Sequence, residues 1–368
     1  MAVDVLSLAV PGVRGIKPYE PGRPIEEIER AYGVADVVKL ASNENPLGPG
    51  PRALAVMPEC LDGLARYPDG NGFALKSKLA EKLSVAPEQL TLGNGSNEIL
   101  ELAARAFVLP EHEVVFSAHA FAVYPLVTQA VGATAVVVPA HDWGHDLEAM
   151  ASALNERTRL VFIANPNNPT GTWVRRGELK TFLKRVPAHV LVVVDEAYFE
   201  YVIEPDYPNA IAWIERFANL IVTRTFSKVH GLAGLRIGYG VSTPEVADVL
   251  NRVREPFNVN TLALAAAEAA LGDFAHVTQS VTMNQEGMRQ LSKAFMEMGL
   301  PYIPSVANFI AVDVRRTGAA VFEALLHEGV IVRPVANYAM SNHLRVTVGL
   351  PDENQRFIDA LAKMISAP

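Results

Sequence analysis

The chain has 368 residues, half of them hydrophobic, so it can build a large core and more than one domain. Its net charge of −8 argues against the basic surface of nucleic-acid-binding proteins, and its single cysteine excludes an internal disulfide. The sequence has no run of about 20 apolar residues that would span a membrane.

The first part of the chain, up to Pro24, is rich in proline and glycine, which disfavours both helix and strand. We predict an arm over residues 1–30 that lies on another surface. The first ten residues contain Asp4 and no basic segment, so they do not resemble a secretory signal. We therefore expect a cytoplasmic protein.

A glycine-rich turn at residues 92–98 joins a predicted strand end at 89–92 to a helical pattern at 99–107. A helix that starts this way presents unpaired N–H groups, which bind phosphate. The turn lacks the third glycine of a dinucleotide fingerprint and the Lys-Ser/Thr of a P-loop. By itself it is also compatible with an ordinary strand-to-helix turn.

Residues 141–146 contain two histidines and two aspartates, but Gly144 interrupts any helix that would align them. We predict a loop there and no metal site.

Three apolar runs, at residues 159–164, 190–194 and 219–223, show no polar alternation, which is typical of parallel strands buried on both faces. Stretches long enough for crossover helices separate them, at 176–186 and 209–217. The pattern β-α-β-α-β predicts an α/β protein with a parallel sheet.

Each of these runs stops at a polar loop, at residues 165–171, 195–198 and 225–228. The carboxyl ends of parallel strands open onto one edge of a sheet, so we expect the three loops to line one crevice. Asp195 at the end of an apolar strand requires a cation or a strong donor beside it. The sequence therefore predicts a ligand site at this edge.

The C-terminal part of the sequence changes pattern after about residue 272. An alanine-rich helix at 261–271 and a long amphipathic helix at 276–298 lead into a smaller α+β unit. Its strands are predicted at 309–314, 330–333 and 344–348, and its helices at 319–328 and 353–365. We predict a large domain over residues 31–272 and a small domain over 273–368.

The polar loops suit one kind of cofactor. A lysine in a dry pocket loses its proton easily, and the neutral amine of Lys228 can then form a Schiff base with an aldehyde. Ser227, Arg236 and the start of the 99–107 helix suit a phosphate. An aldehyde with a phosphate, a basic ring nitrogen and a ring hydroxyl satisfies the whole set, which indicates pyridoxal 5′-phosphate.

The spacing of five residues resembles the fold-type I pyridoxal-phosphate aminotransferases of classes I and II, over nearly the whole chain. These residues are Asn168, Asp195, Tyr198, Lys228 and Arg236. Segments 16–19, 41–49, 66–69 and 343–349 narrow the resemblance to the histidinol-phosphate aminotransferases. The resemblance implies a mostly parallel seven-stranded sheet flanked by helices, a smaller α+β C-terminal domain and an N-terminal arm.

The resemblance also implies roles for individual residues. Lys228 would bind the cofactor aldehyde and move a proton at the substrate Cα, and Asp195 would keep the ring nitrogen protonated. Tyr198 and Asn168 would bond the ring oxygen. The cofactor phosphate would be surrounded by Ser96, Asn97, Thr225, Ser227 and Arg236. Phe121 would stack on the ring, although many relatives carry tyrosine there, so any hydrogen bond from that hydroxyl is lost.

A homodimer with shared active sites is implied as well, because Tyr67 would reach the cofactor phosphate of the partner subunit. Arg345 would hold the anionic end of the substrate, and Arg333, Tyr19 and Asn45 would lie nearby. Two guanidinium groups match a phosphate monoester well, although a dicarboxylate would also use two arginines.

The resemblance implies transamination between L-histidinol phosphate and 2-oxoglutarate, giving imidazole-acetol phosphate and L-glutamate in histidine biosynthesis. An aromatic amino-acid aminotransferase and a lyase acting on an amino-acid phosphate are the rivals within the same chemistry. A non-catalytic regulator that binds the cofactor is the rival from another class. Such regulators are expected to carry a basic DNA-binding extension, and the sequence has none.

Overall fold

The computed structural model describes residues 3–17 and 24–366. The α-helices are α1 (Val5–Leu8), α2 (Pro11–Arg14), α3 (Ile25–Tyr32), α4 (Pro51–Val56), α5 (Phe73–Leu83), α6 (Ser96–Phe107), α7 (Val123–Ala130), α8 (Leu147–Ser152), α9 (Arg176–Arg185), α10 (Pro244–Val253), α11 (Thr261–Ala270), α12 (Phe274–Glu297), α13 (Gly318–His327) and α14 (Pro351–Ser366). Among the helices in these two ranges, none has the length and apolar character needed to cross a bilayer.

The strands are β1 (Val38–Lys39), β2 (Leu90–Gly93), β3 (Glu113–Ser117), β4 (Thr134–Val138), β5 (Thr158–Ala164), β6 (Leu191–Asp195), β7 (Leu220–Thr225), β8 (Gly238–Val241), β9 (Tyr302–Ile303), β10 (Phe309–Asp313), β11 (Val330–Ile331), β12 (Arg333–Val335) and β13 (Met340–Thr347). Short 3-10 helices lie at Pro58–Gly63, Pro87–Gln89, Phe199–Tyr201, Ala210–Trp213, Ala233–Leu235 and Ala336–Tyr338.

A seven-stranded sheet in the order β2-β8-β7-β6-β5-β3-β4 forms the centre of the molecule. The strands from β3 to β7 pair in parallel, whereas β8 runs antiparallel to both β7 and β2. The three predicted apolar strands are β5, β6 and β7, and they lie side by side with almost every residue buried. The predicted fold class, with its mostly parallel seven-stranded sheet, is confirmed.

The connection between β6 and β7 differs from the predicted crossover helix at 209–217. The Glu196 carboxylate accepts the N–H of Ala210 at 3.0 Å, which fixes the start of the segment. The N–H groups of Ala212 and Ile214 then bond to carbonyls three residues back, so the chain forms a 3-10 helix, Ala210–Trp213, instead of an α-helix.

The C-terminal unit contains an antiparallel sheet in the order β12-β13-β10-β9. Strand β1 pairs in parallel with β11 of this unit, and Ile28 and Ala41 pack against Leu326 and Ile331. The chain from α3 to β1 therefore packs on the C-terminal unit, although residues 31 onward were assigned to the large domain. The division into an arm and two domains stays a prediction.

Candidate active site

A cavity of about 380 Å³ lies where the carboxyl ends of β6 and β7 meet the small sheet, and its volume is within the range of small-molecule sites. Its wall brings together most of the predicted site residues: Ser96, Asn97, Phe121, Asn168, Asp195, Tyr198, Thr225, Ser227, Lys228, Arg236, Arg333 and Arg345. The loops that follow the three central strands thus open onto one edge, as parallel pairing requires.

Lys228 follows the end of β7 and points into the cavity. Its Nζ donates to the carbonyl oxygen of Ser42 at 3.3 Å and lies 5.6 Å from the ring centre of Tyr198. Burial, together with the positive charges of Arg345 and Arg236, lowers the pKa of the Lys228 amine to about 8. A substantial neutral fraction is therefore present near neutral pH, and the neutral amine is a nucleophile.

Asp195 ends β6, and each of its carboxylate oxygens accepts one hydroxyl. Thr223 donates to Oδ1 at 3.0 Å and Tyr124 donates to Oδ2 at 3.1 Å. Burial raises the pKa of Asp195 and the two hydrogen bonds partly offset this effect, so the pKa is about 6. Neither donor was predicted from the sequence. Thr223 lies directly opposite Asp195 in the β6–β7 pairing, so register between neighbouring strands is the signal that would have found it.

Tyr198 and Asn168 both line the cavity. Asn43, from the N-terminal segment, lines it with them. The Asn43 side-chain amide donates to the Tyr198 hydroxyl at 2.8 Å, and the Asn168 carbonyl accepts from Arg345 at 2.6 Å. Burial raises the pKa of Tyr198 to about 12, so its hydroxyl remains a donor at neutral pH.

The opposite end of the cavity is suited to a phosphate. Helix α6 starts there, with Ser96 and Asn97 in its first turn. Arg236 Nη1 donates to Ser227 Oγ at 3.4 Å. Gly95 has a φ of +76°, and a Cβ there would come within 2.5 Å of Arg236 Nη2, so only glycine lets the guanidinium approach the helix start. With Lys228 and Asp195, these groups match an aldehyde that carries a phosphate and a basic ring nitrogen.

Arg333 and Arg345 form a third feature of the cavity wall. They occupy directly opposite positions on β12 and β13, so their side chains lie on the same face of the small sheet. Arg345 Nη2 donates to the Ala41 carbonyl at 2.6 Å. Like charges opposite each other on paired strands are destabilising by themselves, so this arrangement favours an anionic ligand.

Two of the predicted residues that the structure describes do not line the cavity. Asn45 does not line the cavity; its buried amide donates to the Val229 carbonyl at 2.9 Å and to Ser280 Oγ at 2.8 Å. Tyr67 is 82% exposed and stacks on Phe257, with ring centres 4.7 Å apart. Tyr19 lies outside the described residues. Asn43, two positions before Asn45, faces the cavity because it adopts the left-handed φ of 56° that asparagine tolerates.

Comparison with known proteins gives consistent matches. Residues 35–361 match the family model of class I and II aminotransferases. Histidinol-phosphate aminotransferase 2 of Pseudomonas fluorescens is 61% identical over 368 residues, covering 100% of both chains. Histidinol-phosphate aminotransferase 1 of Nitrosococcus oceani is 59% identical over 97% of both.

A solved structure also superposes closely on this one. It is the crystal structure of histidinol-phosphate aminotransferase from Sinorhizobium meliloti in complex with pyridoxal-5′-phosphate. The TM-score is 0.89, the sequence identity is 29%, and the match covers 96% of each chain.

Proposed function

Because the chain belongs to the class I and II aminotransferases, we propose that it transfers the amino group of L-histidinol phosphate to 2-oxoglutarate, giving imidazole-acetol phosphate and L-glutamate. The family predicted from the sequence is confirmed by the match over residues 35–361. The reaction would be a step of histidine biosynthesis. The names of the relatives from Pseudomonas fluorescens and Nitrosococcus oceani, which are 61% and 59% identical, imply this.

The observation that carries this proposal is the arginine pair on the small sheet. A phosphate monoester has nearly two negative charges and three acceptor oxygens, which two neighbouring guanidinium groups match better than one. Arg333 and Arg345 lie opposite each other on β12 and β13 and line the same cavity as Lys228 and Asp195. This arrangement supports a substrate with a phosphorylated side chain.

The residues at the two ends of the cavity support pyridoxal 5′-phosphate, which the relative from Sinorhizobium meliloti binds, as the cofactor. The cofactor supplies an aldehyde that bonds the amino group and a ring that delocalises the electron pair released at Cα. Ser96, Asn97, Thr225, Ser227 and Arg236 would hold its phosphate.

The protein groups have separate tasks in this proposal. The Asp195 carboxylate holds a proton on the ring nitrogen, which makes the ring a better electron acceptor. Tyr198 and Asn168 orient the ring oxygen. Phe121 supports the ring face. Lys228, once its Nζ is released as a neutral amine, takes the proton from Cα and returns it at the adjacent carbon.

The steady-state preference between substrates tests the proposal. With 2-oxoglutarate as acceptor, we expect kcat/KM for L-histidinol phosphate to exceed that for L-phenylalanine at least about 10²-fold, because the guanidinium groups of Arg333 and Arg345 match a phosphate and not an apolar side chain. Arg333→Gln should lower kcat/KM for histidinol phosphate more than for phenylalanine. A preference for phenylalanine would reject our choice in favour of an aromatic aminotransferase.

We also propose that the enzyme works as a homodimer with shared sites. Large apolar side chains are exposed on one region of the chain around Tyr67, which is unusual unless another surface covers them. They are Leu54, Leu61, Leu64, Tyr67, Phe73 and Phe257. Tyr67 and Phe257 hold each other in a stacked pair, so Tyr67 is preorganised to reach a neighbouring cavity.

Mixing two inactive variants tests the shared site. Lys228→Ala and Tyr67→Ala subunits should together restore roughly a quarter of wild-type activity, because half of the dimers are mixed and each mixed dimer has one intact site. Lys228→Ala mixed with Asp195→Asn is the control and should restore nothing, since both residues belong to the same chain's cavity. Equal recovery in both mixtures, or a monomer in sedimentation, would contradict the shared site.

The cytoplasmic location stays a prediction.

A further inference from the structure

Tyr124 lies beneath the cavity and contacts two of the residues that line it. Its hydroxyl donates to Asp195 Oδ2 at 3.1 Å, and its ring meets the Phe121 ring edge to face, with centres 5.9 Å apart. The side chain is 0% exposed, and its ring stacks on Phe162 at 4.6 Å. Packing on these sides keeps the hydroxyl directed at the carboxylate.

We propose that Tyr124 is a positioning residue which, together with Thr223, keeps the Asp195 carboxylate ionised and aimed at the cofactor ring nitrogen. This inference rests on the function proposed above. Thr223 donates to Oδ1 at 3.0 Å, so each carboxylate oxygen has one fixed donor from the protein. A carboxylate oxygen accepts more than one hydrogen bond, so Oδ1 and Oδ2 can both still accept from a protonated ring.

The groups that face Asp195 act on it in opposite directions. Burial and the neighbouring Glu196 raise the pKa of the Asp195 carboxyl, whereas the two hydroxyl donors lower it. The nearby Lys228 amine interacts with the carboxylate and favours its ionised form. Burial raises the pKa values of Tyr198 and Tyr207 above the ordinary tyrosine value, so both remain neutral beside it. Of the groups around Asp195, the hydroxyls of Tyr124 and Thr223 are therefore the ones whose removal should change its pKa.

Tyr124 itself acts only as a donor near neutral pH. Burial, followed by the negative charge of Asp195, raises the pKa of the Tyr124 hydroxyl well above its ordinary value. A neutral hydroxyl fixed on a carboxylate stabilises the ionised acid and disfavours the protonated acid. Loss of the hydroxyl should therefore raise the pKa of Asp195 from about 6 toward neutral pH.

The test measures pyridoxal 5′-phosphate binding to the cofactor-free, full-length protein at about pH 6 and about pH 8.5. At the lower pH we expect Tyr124→Phe to raise Kd about fivefold over wild type, because a one-unit rise of the Asp195 pKa from about 6 lowers the ionised fraction at pH 6 from about one half to about one tenth. At the higher pH the ratio should return toward one, since the carboxyl is ionised in both proteins. The ratio of variant to wild type cancels the titration of the free cofactor.

Thr223→Val removes the other donor with little change of shape and should shift Kd in the same direction with the same pH dependence. Thr128→Val is the matched control. Thr128 lies on the same helix as Tyr124, and its buried hydroxyl donates to the Tyr124 carbonyl at 2.7 Å and does not contact Asp195 in the described residues. Its Kd ratio should be equal at both pH values.

A Kd ratio that does not change with pH in either Tyr124→Phe or Thr223→Val would overturn the proposal, even if both variants unfold at lower temperature. That result would indicate a structural role only. Failure of the wild-type protein to bind the cofactor would instead overturn the proposed function, so the two failures are distinguishable.

Discussion

Lys228→Ala should abolish covalent retention of the cofactor and lower kcat at least about 10²–10⁴-fold, the contribution of a positioned acid–base group. The alanine variant has no amine at the carboxyl end of β7 to bond the aldehyde or to carry the Cα proton. The cavity itself should persist, because the Ser42 carbonyl is the one hydrogen-bond acceptor of Nζ among the described contacts.

Borohydride reduction followed by peptide mapping measures this directly. In the wild type, the cofactor should be fixed to the peptide that contains Lys228, and in the variant no peptide should carry it. Lys82→Ala is the control, since Lys82 is also a partly buried lysine but donates to the Leu271 carbonyl away from the cavity. Turnover by Lys228→Ala without added amine would contradict the assigned role.

Asp195→Asn should slow Cα deprotonation at least about a hundredfold, the effect expected when a buried ion pair loses one partner. The neutral amide cannot hold a proton on the ring nitrogen, so the ring accepts electrons less well. Cofactor binding should weaken but persist, because the phosphate contacts at the other end of the cavity remain. Single-turnover absorbance measurements test this, and a rate equal to that of the wild type would contradict it.

The same substitution should stabilise the cofactor-free protein. The folded pKa of Asp195 is about 6, above its ordinary 3.8, so its contribution to stability is complete below about pH 4 and is lost as the pH rises through 6. Asp195→Asn should therefore raise the free energy of unfolding near pH 7.5 by up to about 3 kcal/mol. Urea unfolding should show that this gain disappears near pH 4. Asp273→Asn, at a buried carboxylate that caps α12, should show no such gain.

The central strands were predictable from sequence because burial on both faces leaves an unbroken apolar run. The runs at 159–164, 190–194 and 219–223 correspond closely to β5, β6 and β7. Parallel pairing then determines where the ends of these strands meet. The proximity of Asp195 and Lys228 could therefore be predicted from local sequence patterns alone.

Other features depend on contacts that have no local signal. The two-residue strand Val38–Lys39 is too short for a detectable alternation, and its partner lies almost 300 residues later. The choice between Asn43 and Asn45 depends on one left-handed φ angle. The Tyr124 hydroxyl on α7 meets Asp195 at the end of β6 across a separation of 71 residues in sequence.

The pairing of β1 with β11 makes the N-terminal segment part of the C-terminal unit. Asn43 follows this short strand and bonds Thr347 of β13, while Arg345 of the same strand bonds the Ala41 carbonyl. Any rotation of the C-terminal unit would therefore move Asn43 and Arg345 together relative to the large sheet. One movement of the C-terminal unit would thus change both the Asn43 contact with the Tyr198 hydroxyl and the Arg345 contact with Asn168.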